Sequence, residues 1–119
     1  MATTMPIKVL PSLRVTNEQF LGFVATNPEL RLERTATGEM IAMLPTGAEG
    51  GHYNAELIGD FVVWNRRQPL GKVFDALSGF RLSNGAIRSP DVAWVTRERW
   101  ERLTPEERKG FAPLCPVPD

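Results

Sequence analysis

Apolar and polar positions recur along this chain with two different periods, and the places where the period changes mark its elements. Thr16 and Gln19 have capping-box spacing, and Asn17, Phe20, Leu21 and Val24 follow at i, i+3, i+4 and i+7. That pattern predicts a short helix over residues 16 to 27, stopped by Asn27-Pro28. Leu30 to Arg34 and Glu39 to Leu44 then flank Thr35-Ala36-Thr37-Gly38, which places glycine where a tight turn needs positive φ, so a β-hairpin is expected. On the first hairpin strand Glu33 faces away from Leu32, and with Arg31 and Arg34 beside it the carboxylate reads as solvated surface. Met40 and Met43 fall on opposite faces as packing residues.

Pro45 to Gly51 has the composition of a flexible loop, and a second helix is predicted from His52 to Gln68. Asn54, Leu57, Ile58, Phe61, Val62 and Asn65 keep the helical period, while Val63 and Trp64 widen the apolar surface, so this helix is expected to pack across a sheet. The glycine loop before it lacks the Lys-Ser/Thr of a P-loop, and no dinucleotide-binding pattern is present. A single histidine at a helix start, His52, is ordinarily a cap or solvated, with a general base as the functional alternative. Arg66 and Arg67 suit the helix macrodipole; a basic edge facing a phosphate is the other reading.

Lys72 to Asp75 and Gly79 to Leu82 predict two more strands, and Ser83-Asn84-Gly85 is the strongest hairpin signal of the chain. The strand beyond it is broken by Pro90, which has no N–H and biases Ser89 toward extended backbone. After the break, Asp91, Ala93 and Val95 share one face and Val92, Trp94 and Thr96 the other, so the strand is expected to be covered on both sides. A carboxylate at its entrance needs a partner, because an unpaired buried charge is costly. A basic side chain, a helix N-terminus or a metal would each serve, and so would the backbone N–H groups or Arg88 of an ordinary strand end. Arg97 to Leu103 is a charged helical segment with Trp100 and Leu103 as its inner pair. Thr104, Pro105 and Glu107 begin another helix, stopped by Gly110, and Phe111 to Asp119 is a proline-rich extended connector.

With 119 residues the chain corresponds to one domain, residues 14 to 119, behind a flexible leader over residues 1 to 13. Fourteen basic and fourteen acidic side chains leave no net charge, which argues against a protein that coats nucleic acid but allows a cleft that holds a few phosphates. Cys115 is the lone cysteine, so no internal disulfide forms and no zinc spacing exists. With no secretory signal or membrane-spanning run, a cytoplasmic location and no membrane partner are expected.

A Pro-Asp dipeptide followed by acid-x-Lys marks the PD-(D/E)xK nucleases. Pro90-Asp91 supplies the first half, and Glu107-Arg108-Lys109 matches the second as text. Geometry rejects the second match: residues two apart converge on a strand but lie roughly 200° apart on a helix, and Thr104-Pro105-Glu107 makes this segment helical. The wider pattern is more specific. Asn84 to Val95 with its Ser89-Pro90-Asp91 core, Arg97 to Trp100, Leu103 to Arg108, Pro113 to Pro116, Thr46 to Asn54, Leu70 to Lys72 and Ser78 to Leu82 together resemble the Uma-type restriction endonuclease family, a bacterial branch of the PD-(D/E)xK superfamily.

The resemblance implies an α/β (α+β) restriction-endonuclease-like fold, a mixed central sheet flanked by the 16 to 27 and 52 to 68 helices. It implies Mg²⁺-dependent (or Mn²⁺-dependent) hydrolysis of DNA phosphodiesters, a chemistry that needs clustered oxygen ligands. Asp91 corresponds to the family's metal-binding Asp, Glu33 falls where the family carries an early acid of the first strand, and His52 lies where many members have a polar residue. In the family the Pro-Leu-Cys-Pro connector leads into a strand bearing the second metal acid, whereas this sequence stops at Asp119. The expectation is therefore a domain incomplete at its C-terminus and catalytically inactive, with a sheet edge open to a homo-oligomer or a strand-completing partner. The alternative is a non-catalytic nuclease-fold remnant that binds DNA or a protein partner.

Overall fold

A computed structural model describes residues 6–8, 14–43 and 45–116. In chain order the elements are β1 (Pro6–Lys8), α1 (Asn17–Thr26), β2 (Arg31–Arg34), β3 (Met40–Met43), α2 (Ala48–Arg67), β4 (Gly71–Phe74), β5 (Phe80–Arg81), β6 (Ile87–Arg88), β7 (Ala93–Thr96), α3 (Arg97–Glu101) and α4 (Pro105–Lys109). The fold is α+β, as expected of a restriction-endonuclease-like domain. One sheet runs in the order β1-β3-β2-β6-β5 and the other pairs β4 with β7. Among the described residues every ladder is antiparallel, and the parallel component is one isolated bridge between Phe80 and Ala112.

The predicted caps and turns form as their residues dictate. Thr16 accepts from the Gln19 N–H while Gln19 returns a carbonyl to the Thr16 N–H, closing the capping box of α1. Thr104 and Glu107 do the same for α4, with Pro105 in the first turn, so Glu107 and Lys109 lie on a helix and do not form an acid-x-Lys strand. Gly38 and Gly85 take φ of 92° and 89° in the two hairpin turns, a conformation side chains with a Cβ rarely adopt.

Four expectations change. Helix α2 begins at Ala48, because Gly47 takes an extended N-cap conformation and the Gly51 N–H closes the first turn onto the Gly47 carbonyl at 2.9 Å. The glycines predicted to be loop are thus mostly helical, and His52 lies past the first turn. Helix α2 is also covered less deeply than expected: no residue is fully buried, and the predicted face of Asn54, Leu57, Ile58, Phe61, Val62 and Asn65 is half-buried. Its C-terminal half leans on the two-stranded sheet through Trp64 against Trp94, ring centroids 5.2 Å apart, and through Trp94 Nε1 donating to Asn65 Oδ1 at 2.9 Å. Third, the connector after Gly110 is packed: Ala112 is buried, its carbonyl accepts from the Arg81 N–H at 2.9 Å, and Arg99 Nη2 donates to the Cys115 carbonyl at 2.7 Å. Last, Pro6–Lys8, inside the predicted leader, pairs with β3. The rest of residues 1 to 13, Leu44 and residues 117 to 119 lie outside the described residues.

Two apolar clusters hold the fold. Val15, Phe20, Leu32, Met40 and Ile87 pack α1 onto the larger sheet, and Phe80, Ala93, Val95 and Ala112 join β5, β7 and the connector, with Phe74, Trp100 and Leu103 against them. Phe111 packs against the first cluster, its ring 5.9 Å from Phe20. Strand β6 belongs to the larger sheet and β7 to the smaller, so residues 89 to 92 carry the chain from one sheet to the other. Among the described residues no helix is long and apolar enough to cross a membrane.

Candidate functional site

Register places the acids. Arg34 pairs with Ile87 in the antiparallel β2–β6 ladder, so one residue further along Glu33 lies across from Arg88. Arg88 Nη1 donates to Glu33 Oε1 at 3.0 Å, and the Ser89 N–H donates to Glu33 Oε2 at 2.8 Å. Both carboxylate oxygens are therefore engaged, and Glu33 is 6% exposed. The expectation of a solvated surface acid is overturned because β2 is covered on both faces, by the first apolar cluster at Leu32 and by residues of the crossing at Glu33.

Asp91 lies in the bend after Pro90; β7 starts two residues later, at Ala93, so this carboxylate precedes the strand. Its partner is Arg31, whose Nη1 donates to Asp91 Oδ1 at 3.1 Å, with the guanidinium side chain 10% and the aspartate side chain 28% exposed. The Arg31 Nη2 also donates to the Ser89 carbonyl. A basic side chain thus balances Asp91, as one of the open alternatives required, but it comes from β2. Arg88, the neighbour proposed for that part, pairs with Glu33 instead.

Glu33 and Asp91 are brought to either side of Ser89, while His52 stands apart from their hydrogen bonds. The imidazole side chain is 77% exposed, and Nε2 lies 3.9 Å from Glu56 Oε1 one turn along the same helix. A cavity of about 490 Å³ between α1, β5 and α4 is lined by Val24, Phe74, Phe80, Trp100 and Phe111, and by none of these three side chains.

Whether the two acids suit Mg²⁺ or Mn²⁺ follows from their free oxygens. A hard cation needs clustered oxygen donors, several of them left to water or substrate. Glu33 does not meet that need, since it is buried, its charge is already balanced by Arg88, and each oxygen accepts a hydrogen bond. Asp91 is partly exposed and shares one oxygen with Arg31. Among the described residues no group of three or more His, Cys, Asp and Glu side chains is gathered. The residues present do not form a two-acid metal site; they form two crossed arginine–carboxylate pairs around one peptide.

Sequence reasoning missed Arg31 and the Ser89 backbone. The signal for Arg31 was its spacing: Arg31 and Glu33, two apart on a strand, face the same way.

The family model Uma2, described as "Putative restriction endonuclease", matches residues 17–117. No curated protein matches the chain.

Proposed function

The chain belongs to the Uma2 restriction-endonuclease family of the PD-(D/E)xK superfamily, and on that premise we propose that it carries Asp91 as the lone presented acid of a DNA phosphodiesterase site and does not hydrolyse DNA by itself. The observation that carries this reading is the engagement of Glu33, whose two oxygens are held by Arg88 and the Ser89 N–H. A second acid locked in this way leaves Asp91 as a single carboxylate anchor, enough to attract a cation but not to fix it at a scissile phosphate. DNA is the proposed ligand by family. Incubation of supercoiled plasmid with the purified chain and Mg²⁺ or Mn²⁺ tests the reading. The expected result is no nicking beyond that seen with Asp91→Asn; nicking that vanishes in Asp91→Asn would establish an active endonuclease and overturn it.

One observation favours a second reading, a nuclease-fold domain that associates with a second copy of itself through α2. Helix α2 is 20 residues long without a buried residue, and Tyr53, Val63 and Trp64 are each close to half exposed. Val63 and Trp64 are neighbours, and an exposed apolar pair of this size beside the Trp94 contact is surface that a second copy would cover. Light scattering separates the two: a monomer at every concentration is expected for the first reading and a larger species for the second.

A further inference from the structure

We infer that Glu33 and Arg31 are positioning residues: side by side on β2, they clamp the N–H and the C=O of Ser89 and thereby set the direction of Asp91, and Glu33 takes no metal. The need for a clamp begins with Pro90. Continued past Arg34–Ile87, the antiparallel register would bring Arg31 opposite Pro90, a residue that cannot donate to a ladder. Backbone pairing with β2 therefore fails just where Ser89 is 4% exposed, and its peptide groups still require partners.

Two side chains of β2 supply what the ladder cannot. The Glu33 carboxylate accepts from the Ser89 N–H, and the Arg31 guanidinium donates to the Ser89 carbonyl. The polarity matches: the anion takes the donor and the cation takes the acceptor. Arg31 then does one thing more, because its second nitrogen reaches Asp91 Oδ1 at 3.1 Å. A planar guanidinium fork links the Ser89 carbonyl to the Asp91 carboxylate at a fixed spacing, which a lysine ammonium cannot reproduce at both ends. Glu33 is held in turn by Arg88, whose positive charge against the buried carboxylate opposes the approach of a cation.

The clamp stands on geometry alone; only its bearing on catalysis rests on Asp91 being the acid of the proposed site. Nuclear magnetic resonance of the isotope-labelled 119-residue chain tests both. In Glu33→Gln the Ser89 amide is expected to exchange at least about tenfold faster, the loss of one hydrogen bond to a charged group, with the amides of β2 and β3 unchanged. In Arg31→Lys the Ser89 amide keeps its protection while the Asp91 carboxyl signal moves. Mg²⁺, titrated as the probe, is expected to shift the Asp91 carboxyl and leave Glu33 in place. A Glu33 carboxyl that follows Mg²⁺, or a Ser89 amide indifferent to Glu33→Gln, would overturn the inference. Should Glu33→Gln unfold the chain, an unmoved Asp91 signal in Arg31→Lys overturns it instead. If Mg²⁺ moves neither carboxyl while Ser89 responds selectively, the clamp holds and the phosphodiesterase reading falls.

Discussion

Arg31 and Asp91 are sixty residues apart in sequence and share one hydrogen bond. Their pair is neither the exposed kind that contributes almost nothing nor a sealed one whose desolvation dominates, since the guanidinium is largely shielded and the carboxylate only partly. An intermediate coupling follows. In a double-mutant cycle of Arg31→Gln and Asp91→Asn, read by urea denaturation, the expected coupling is about 1 kcal/mol. Strictly additive single substitutions would mean that the pair does not form in solution. Its existence was half legible: the Pro90 break and the need for a counter-charge at Asp91 come from local chemistry. The choice of Arg31 over Arg88 depends on which strand lies alongside β6, information that no stretch of neighbouring residues contains.

At the scale of elements, β4 and α2 make opposite demands on their glycines. A Cβ at Gly71 would lie 2.4 Å from the Trp94 ring and from the Val95 carbonyl oxygen, whereas at Gly59 nothing lies within 4 Å. Gly71→Ala must therefore push β4 away from β7, with an expected loss of about 1–3 kcal/mol. Gly59→Ala only removes backbone freedom inside a helix and is expected to gain about 0.5–1 kcal/mol. Thermal denaturation of the two variants should move the midpoint in opposite directions; a shift of the same sign would contradict the β4–β7 packing. The strands from β2 to β7 were visible in sequence, as were both capping boxes and the Asn84-Gly85 turn, because each is determined within a few residues; β1 was not. The start of α2 was not visible. Gly50 and Gly51 lower helix propensity, but Gly47 and Ala48 already fix the first turn.

The whole molecule is uneven in how firmly its parts are held. Strands β2 and β3 are flanked by partners and lie over the first apolar cluster, while α2 is secured chiefly near its C-terminus by Trp64, Asn65 and Trp94. Native-state hydrogen exchange should register the difference: amides of residues 52 to 58 are expected to open at least about tenfold more readily than those of β2 and β3. Equal protection would show that the helix is covered in solution, in agreement with association through α2. Helical periodicity identified the inner face of α2 correctly, but the depth of coverage expected from it did not follow, since a stripe of apolar residues records what a helix can bury and not what lies against it.

What the sequence by itself determined is the local grammar: capped helices, glycine turns, the proline break, the α+β class and the Uma2 family membership. These follow from short-range sterics, hydrogen bonding and a linear pattern of residues. Only the tertiary structure decided that Glu33 is buried, that Arg31 holds Asp91, and that the chain changes sheets at Ser89-Pro90. Each of those facts turns on the register between β2 and β6, more than fifty residues apart, and register is set by packing across the fold.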